Sequence, residues 1–261
     1  MKIEHAYILY IDTPDAVKYM EECKASCEEH GIPVTPFLGL KLPTSTAEIK
    51  DKWGFRVDPR CDEHVDSKEM MNTWFKEQLC LSGHLAIWKE VVSKHNGAVA
   101  VFEHDAIVKR NFLDIDIDDD VWTFLGYRID EEEDYECIDH PFSKILVNRF
   151  EGTHAYAITP KTAHRCLKAL DDWDGNRGYF PLGVSIDHMM GVDNGFKLPL
   201  YVIDPAPVVA IVGNRKSHTQ PDGKVATYNT IPHSGFMAGL KNRDKYYIDE
   251  ENSWLKILGD K

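Results

Sequence analysis

The sequence predicts an α/β fold with a mixed, mainly parallel central sheet, and three observations support that class. Residues 6–11 form a β-rich run that leads directly into a helical segment. A second β-rich run at residues 32–37 completes a strand–helix–strand unit. Residues 98–102 are continuously apolar, as in a strand buried on both faces of a parallel sheet. Sheets of this kind bind their ligands beyond the carboxyl ends of the strands.

Capping signals bound the first helix. Either Asp12 or Thr13 can cap its amino end, and Pro14 suits its first position. The helix is expected to stop at Gly31. Residues 40–66 are polar and lack periodicity, so we interpret them as a long surface excursion.

Apolar periodicity predicts a second helix that runs from residue 67 to a stop at Gly97. Its buried stripe comprises Trp74, Gln78, Leu81, Leu85, Trp88 and Val92. Beyond the apolar strand, four more strands and one helix are predicted. The strands occupy residues 121–127, 150–158, 198–203 and 206–212, and the helix occupies residues 160–170.

The 261 residues are expected to form a single domain. Residues 1–213 would be its core, and the polar residues 214–261 would wrap the surface or form a lid. A net charge of −13 disfavours extended binding to nucleic acid. No segment is apolar for the length that crosses a bilayer, and the amino terminus does not resemble a signal peptide. With scattered cysteines, these features lead us to expect a cytoplasmic protein.

Glu103, His104 and Asp105 directly follow the apolar strand. On an extended backbone the first and third side chains point the same way, so both carboxylates can reach one cation. His104 would point to the opposite face, or join the site if the chain turns. The alternative is a solvated strand end with no function.

Short motifs spread along the chain resemble those of one enzyme family. Residues 6–11 are similar to the INLD opening strand of that family, and residues 80–88 are similar to its Cys-x-x-Ser-His-x-x-x-Trp helix. Residues 101–106 are similar to its Leu-Glu-Asp-Asp block, and residues 152–159 are similar to its Gly-Thr-x-x-Tyr block. Asp187 falls at a later acidic motif, and residues 205–217 resemble a closing segment with proline and serine. The ordered set resembles glycosyltransferase family 25, which includes lipooligosaccharide galactosyltransferases and collagen galactosyltransferases.

The chain departs from that family at three places. Asp15 and Lys18 stand where the family has arginines, which leaves the identity of the donor nucleotide sugar open. Gly83 replaces a serine, and His104 replaces the middle acid of the acidic block. The outer two carboxylates of that block keep their acid-x-acid spacing.

The resemblance implies a GT-A-like, Rossmann-like fold and a metal-dependent, inverting transfer of a hexose from a nucleotide sugar, with a UDP-hexose as the expected donor. Asp105 would bind Mn²⁺ or Mg²⁺ directly. Glu103 would bind the cation through water or hold the ribose, and His104 is a third metal ligand to consider. The acceptor would be a hydroxyl on a glycan, a lipid-linked glycan or a protein.

The resemblance also implies donor contacts from Tyr10, Asp12, His84 and Thr153. His84 can equally be a satisfied core histidine. Asp187 is expected to be the catalytic base, because inversion needs a base on the face opposite the leaving group. Asp187 could instead complete the metal shell or cap a helix.

Two other functions stay open. A catalytically degenerate transferase-like domain could bind or scaffold without turnover, which the missing arginines and His104 would suit. A metal-dependent sugar-nucleotide hydrolase could use the same carboxylates.

Overall fold

The computed structural model describes residues 1–57, 69–129, 131–147, 150, 152–174, 185–192, 195–211 and 239–241. The helices are α1 (Pro14–Glu29), α2 (Thr46–Trp53), α3 (Glu69–Lys94) and α4 (Pro160–Asp174), with a 3₁₀-helix at Glu132–Asp134 and a π-helix at His188–Val192. The strands are β1 (Ile3–Tyr10), β2 (Val34–Leu38), β3 (Ala98–Glu103), β4 (Ala106–Val108), β5 (Trp122–Phe124), β6 (Gly126–Ile129), β7 (Ser143–Val147), β8 (Ala155–Ile158), β9 (Leu200–Asp204) and β10 (Val208–Ile211).

Seven strands form a central sheet in the order β2-β1-β3-β8-β5-β9-β7. β1 is parallel to β2 and β3, and β5 is parallel to β9. β8 and β7 run opposite to the other strands, because β8 pairs antiparallel with β3 and β5, and β7 with β9. A second sheet has the order β4-β10-β6. The predicted α/β class with a mixed, mainly parallel central sheet is therefore confirmed.

The limits of α1 follow the predicted signals. Thr13 Oγ1 accepts a hydrogen bond from Ala16 N, and Pro14 is the first helical residue. The chain turns beyond the helix at Gly31, where φ is +67°. This is a backbone conformation that glycine adopts without strain.

The predicted surface excursion at residues 40–66 contains a helix, α2, that the sequence analysis did not identify, and its residues 58–66 lie outside the described residues. The helix begins at a capping box in which Ser45 and Glu48 each bond the other's backbone. The helix has only 8 residues, too few for its periodicity to stand out. The Ser-x-x-Glu spacing is the signal that identifies it.

Residues 121–127 do not form one strand, so that prediction is wrong. They divide at Leu125 between β5 in the central sheet and β6 in the small sheet. Leu125 N donates to Ala155 O at 3.0 Å, and Leu125 O accepts from Val208 N at 3.3 Å. The next residue, Gly126, lies so close to Val208 that a Cβ would be 1.9 Å from its carbonyl oxygen. The two sheets meet here, and only glycine allows this approach.

Helices cover both faces of the central sheet. α1 packs on one face, and α2, α3 and α4 pack on the other. Successive residues of β3 therefore face different layers, Phe102 towards α1 and Val101 towards α3. The predicted stripe of α3 is buried at Leu81 and Trp88, whereas Val92 is 36% exposed.

The predicted C-terminal segment, residues 214–261, lies outside the described residues except at positions 239–241. There, Gly239 O accepts from Glu136 N at 2.8 Å, and Lys241 N donates to Asp134 O at 2.7 Å. The predicted lid therefore stays a prediction. Within the described ranges, no helix combines the length and the apolar character needed to cross a bilayer.

Candidate functional site

The carboxyl end of β3 brings together residues from three parts of the chain. Because β3 and β8 are antiparallel, the residues that precede β8 lie beside the end of β3, and Glu103 N donates to His154 O at 3.0 Å. β1 ends at the same edge, with Leu9 paired to Glu103. Glu103 lies on the α3 side by the alternation of the strand, and its side chain is 21% exposed.

Two carboxylates share one hydroxyl at this edge. Thr153 Oγ1 contacts Glu103 Oε1 and lies 2.9 Å from Asp187 Oδ1, and Thr153 is fully buried. A hydroxyl has a single proton, so it can donate to only one of these oxygens. The second contact is a hydrogen bond only if that carboxyl group supplies the proton.

The charges around the pair decide which acid holds that proton. Burial and the negative charge of Glu103 raise the pKa of Asp187 above its ordinary value. Burial also acts to raise the pKa of Glu103, but the contact with His84 and the positive charge of Arg128 outweigh it and hold that pKa well below its usual range. Glu103 is therefore the ionised member, and Asp187 holds its proton more readily.

One face of α3 points at Glu103. Cys80, His84 and Trp88 recur every four residues, so they lie one above another on the helix. The Cys80 sulfur, a His84 ring nitrogen and a Glu103 carboxylate oxygen lie within 4.8 Å of one another. Burial, together with Glu103 and Asp187, raises the pKa of Cys80 well above its ordinary value, which favours the neutral thiol.

Arg128 also lies in this cluster, a position that the sequence did not indicate. It projects from β6, and its Nε donates to His154 Nδ1 at 3.1 Å. Its positive charge lowers the pKa of both Glu103 and Asp187. The only signal in the sequence is one cation in an otherwise apolar strand, which carries no indication of its partners.

The remaining predicted residues lie around this cluster. Tyr10 ends β1 and is half-buried. Asp12 is 78% exposed and lies 3.8 Å from Lys41. Asp105 is half-buried in the turn between β3 and β4.

His104 lies in the same turn, but its ring stacks on Tyr19 of α1 at a centroid distance of 6.2 Å. It is therefore on the opposite side of the sheet from the His84 contact of Glu103. The structure brings Glu103, Thr153 and Asp187 together with His84 and directs His104 elsewhere.

No protein-family model matches the chain, and no curated protein matches it. Solved structures that it resembles include the inositol-1-phosphate CTP transferase from T. maritima, with a TM-score of 0.45 and 12% identity over 87% of this chain and 93% of that chain. The galactosyltransferase LgtC, in complex with donor and acceptor sugar analogues, has a TM-score of 0.41 and 13% identity over 80% of this chain and 87% of that chain. A glycosyltransferase involved in glycosylation of the major capsid of PBCV-1 has a TM-score of 0.39 and 13% identity over 82% of this chain and 95% of that chain. All three TM-scores lie below 0.5.

Proposed function

We propose that the chain is a nucleotide-sugar-dependent hexosyltransferase that uses Mn²⁺ or Mg²⁺. The observation that carries the proposal is the pair of carboxylates joined by Thr153 at the carboxyl end of β3, Glu103 with a lowered pKa and Asp187 with a raised one. Two acids in one site with pKa values displaced in opposite directions are typical of distinct catalytic roles. The site lies beside the parallel β2-β1-β3 unit, at the edge where such sheets bind ligands.

The cation side of the site would be formed by Glu103 and Asp105. Oxygen ligands suit Mg²⁺ and Mn²⁺, which take one or two protein carboxylates beside phosphate and water. Glu103 fits this role because its lowered pKa leaves it ionised. The bound cation would supply neutralising charge for the diphosphate leaving group. Arg128 would add a fixed positive charge nearby.

Asp187 would be the general base. A base works best when its pKa lies near the working pH, and burial moves the pKa of Asp187 in that direction. In its ionised form Asp187 would take the proton of the acceptor hydroxyl. Thr153 Oγ1 lies 2.9 Å from Asp187 Oδ1, so an ionised Asp187 would compete with Glu103 for the single hydroxyl proton.

A UDP-hexose is the proposed donor, and a hydroxyl on a glycan, a lipid-linked glycan or a protein is the proposed acceptor. Calorimetric titration of the chain with nucleotide sugars, with and without Mn²⁺, tests the donor and the cation together. We expect binding that requires the cation, and Glu103→Gln should lose it. The matched control is Glu132→Gln, because Glu132 is an exposed acid paired with Lys109.

Three outcomes separate the alternatives. Transfer of the sugar to an added acceptor supports the proposal. Cation-dependent release of free sugar without an acceptor would favour a hydrolase. If the wild-type chain binds no nucleotide sugar in the presence of Mn²⁺ or Mg²⁺, the proposed enzymatic function is contradicted. The remaining alternative is then a catalytically degenerate domain.

A further inference from the structure

A row of buried polar groups leads from α3 to Glu103. Trp88 Nε1 donates to the Tyr156 hydroxyl at 2.8 Å, and that hydroxyl lies 2.9 Å from His84 Nδ1. On the other side of the ring, His84 Nε2 lies 3.6 Å from Glu103 Oε1. Trp88, Tyr156 and His84 are all fully buried, so water does not compete for these groups.

Counting protons fixes the direction of each bond. An indole N–H can only donate, so the Tyr156 oxygen accepts from Trp88. The Tyr156 proton must then find its own acceptor, and His84 Nδ1 is the one within reach. Nδ1 is therefore unprotonated, and Nε2 carries the hydrogen of the neutral ring. The opposite tautomer would leave the buried Tyr156 proton without an acceptor, which folded proteins rarely tolerate.

We infer that His84 is a positioning residue, held by Trp88 and Tyr156 as the Nε2–H tautomer so that it presents a hydrogen-bond donor to Glu103. The inference rests on the proposed function, in which Glu103 binds the cation that accompanies the nucleotide sugar. The distance of 3.6 Å is longer than a hydrogen bond, and His84 Nε2 has no hydrogen-bond partner among the described residues.

Both contacts of the Glu103 carboxylate fall on the same oxygen. Thr153 Oγ1 and His84 Nε2 each approach Oε1. Because Oε1 faces these two groups, Oε2 is the oxygen assigned to the cation. The Cys-x-x-x-His-x-x-x-Trp face of α3 would thus act through Glu103 without touching the substrate.

The rival arrangement is a metal ion bound by Cys80, His84 and Glu103. Sulfur, nitrogen and oxygen ligands of this kind suit Zn²⁺. That ion would need His84 Nε2 as an unprotonated ligand, which is the tautomer that Tyr156 disfavours. The two arrangements therefore require opposite proton positions on one ring.

Nitrogen-15 NMR of the full, ligand-free chain reads that proton position directly. The His84 signals are assigned by their absence from His84→Gln, and we expect a protonated Nε2 and an unprotonated Nδ1. Tyr156→Phe should remove the preference of His84 for the Nε2–H tautomer. Tyr135→Phe is the matched control, because it also removes a buried hydroxyl that donates one hydrogen bond, here to Ala206 O at 2.6 Å.

Titration with Mn²⁺ alone tests the positioning role. Tyr156→Phe should weaken Mn²⁺ binding by less than the roughly 10- to 100-fold that loss of a direct outer-shell partner costs, because Tyr156 acts through His84. Tyr135→Phe should bind Mn²⁺ as the wild type does. Equal Mn²⁺ affinities in the two variants would overturn the positioning role of His84. An Nδ1–H tautomer in the wild type would overturn the whole inference. A Co²⁺ thiolate absorption band that disappears in Cys80→Ser would establish the rival metal site instead. If the wild type binds no Mn²⁺ the proposed function fails, whereas the His84 tautomer is measured without any ligand.

Discussion

Arg128 Nε donates to His154 Nδ1 across 3.1 Å, and this single bond connects the small sheet to the residues that precede β8. His154 is 1% exposed. Burial and the adjacent positive charge of Arg128 lower the pKa of His154 from 6.5 to about 3. Burial and Arg128 therefore favour the neutral imidazole in the folded chain.

This neutral histidine makes the stability of the chain depend on pH. The folded-state pKa of His154 lies below the unfolded value, so between pH 6.5 and about 3 the unfolded chain binds a proton that the folded chain does not. The free energy of unfolding should thus fall as the pH falls through this window, by about 1.4 kcal/mol per pH unit from this residue. Chemical denaturation across the window should give a shallower slope for His154→Gln. The exposed His140→Gln should keep the wild-type slope, and identical slopes in all three proteins would contradict the prediction.

Gly152→Ala should destabilise the fold. Gly152 has a φ of +104°, and a Cβ at this position would lie 2.1 Å from the His154 ring. Backbone strain alone costs about 1–3 kcal/mol, and displacement of His154 adds to it. Urea denaturation measures the loss. Gly195→Ala is the control, because its Cβ would meet Met189 only at 3.8 Å, and the two variants should differ clearly.

Asp105→Asn should weaken cation-dependent donor binding by more than about tenfold, since the loss of an outer-shell partner alone has that effect. Asp105 lies in the turn after β3 and is not part of the core, so the melting temperature should stay near that of the wild type. Calorimetry with Mn²⁺ and a nucleotide sugar gives the affinity. Asp118→Asn removes an exposed acid paired with Lys144 and should leave that affinity unchanged.

Asp187→Asn should bind the donor normally and lose transfer. A positioned general base contributes about 10²- to 10⁴-fold to rate, and the amide cannot accept the proton. Single-turnover assays with a saturating donor separate this loss from binding. Transfer at the wild-type rate would show that Asp187 is not the base, and lost donor binding would place it in the cation shell instead.

Local signals in the sequence were sufficient for much of the fold. The capping signals at Thr13 and Pro14, the turn at Gly31 and the apolar run of β3 each lie within a few residues of the feature they specify. The break at Leu125 could not be predicted in this way, because it depends on hydrogen bonds to Ala155 and Val208. Neither partner is near Leu125 in the sequence.

The candidate site could likewise be predicted only where local signals exist. The acid-x-acid spacing indicated Glu103 and Asp105, and the family resemblance indicated Asp187, Thr153 and His84. Arg128 was missed because its importance comes entirely from where β6 places it. The stacking of His104 on Tyr19 likewise depends on the packing of α1 against the sheet.

The antiparallel pairing of β3 with β8 also determines which parts of the chain must meet before the two acids become neighbours. The Thr153 contact to Glu103 spans 50 residues of sequence, and its bond to Asp187 spans another 34. Bringing such distant residues together requires closing the intervening loops, at a cost in entropy. The pairing of β1 with β3, which places Leu9 beside Glu103, does not by itself hold two acids side by side. The mutual repulsion of Glu103 and Asp187 arises only once the centre of the sheet has closed around them.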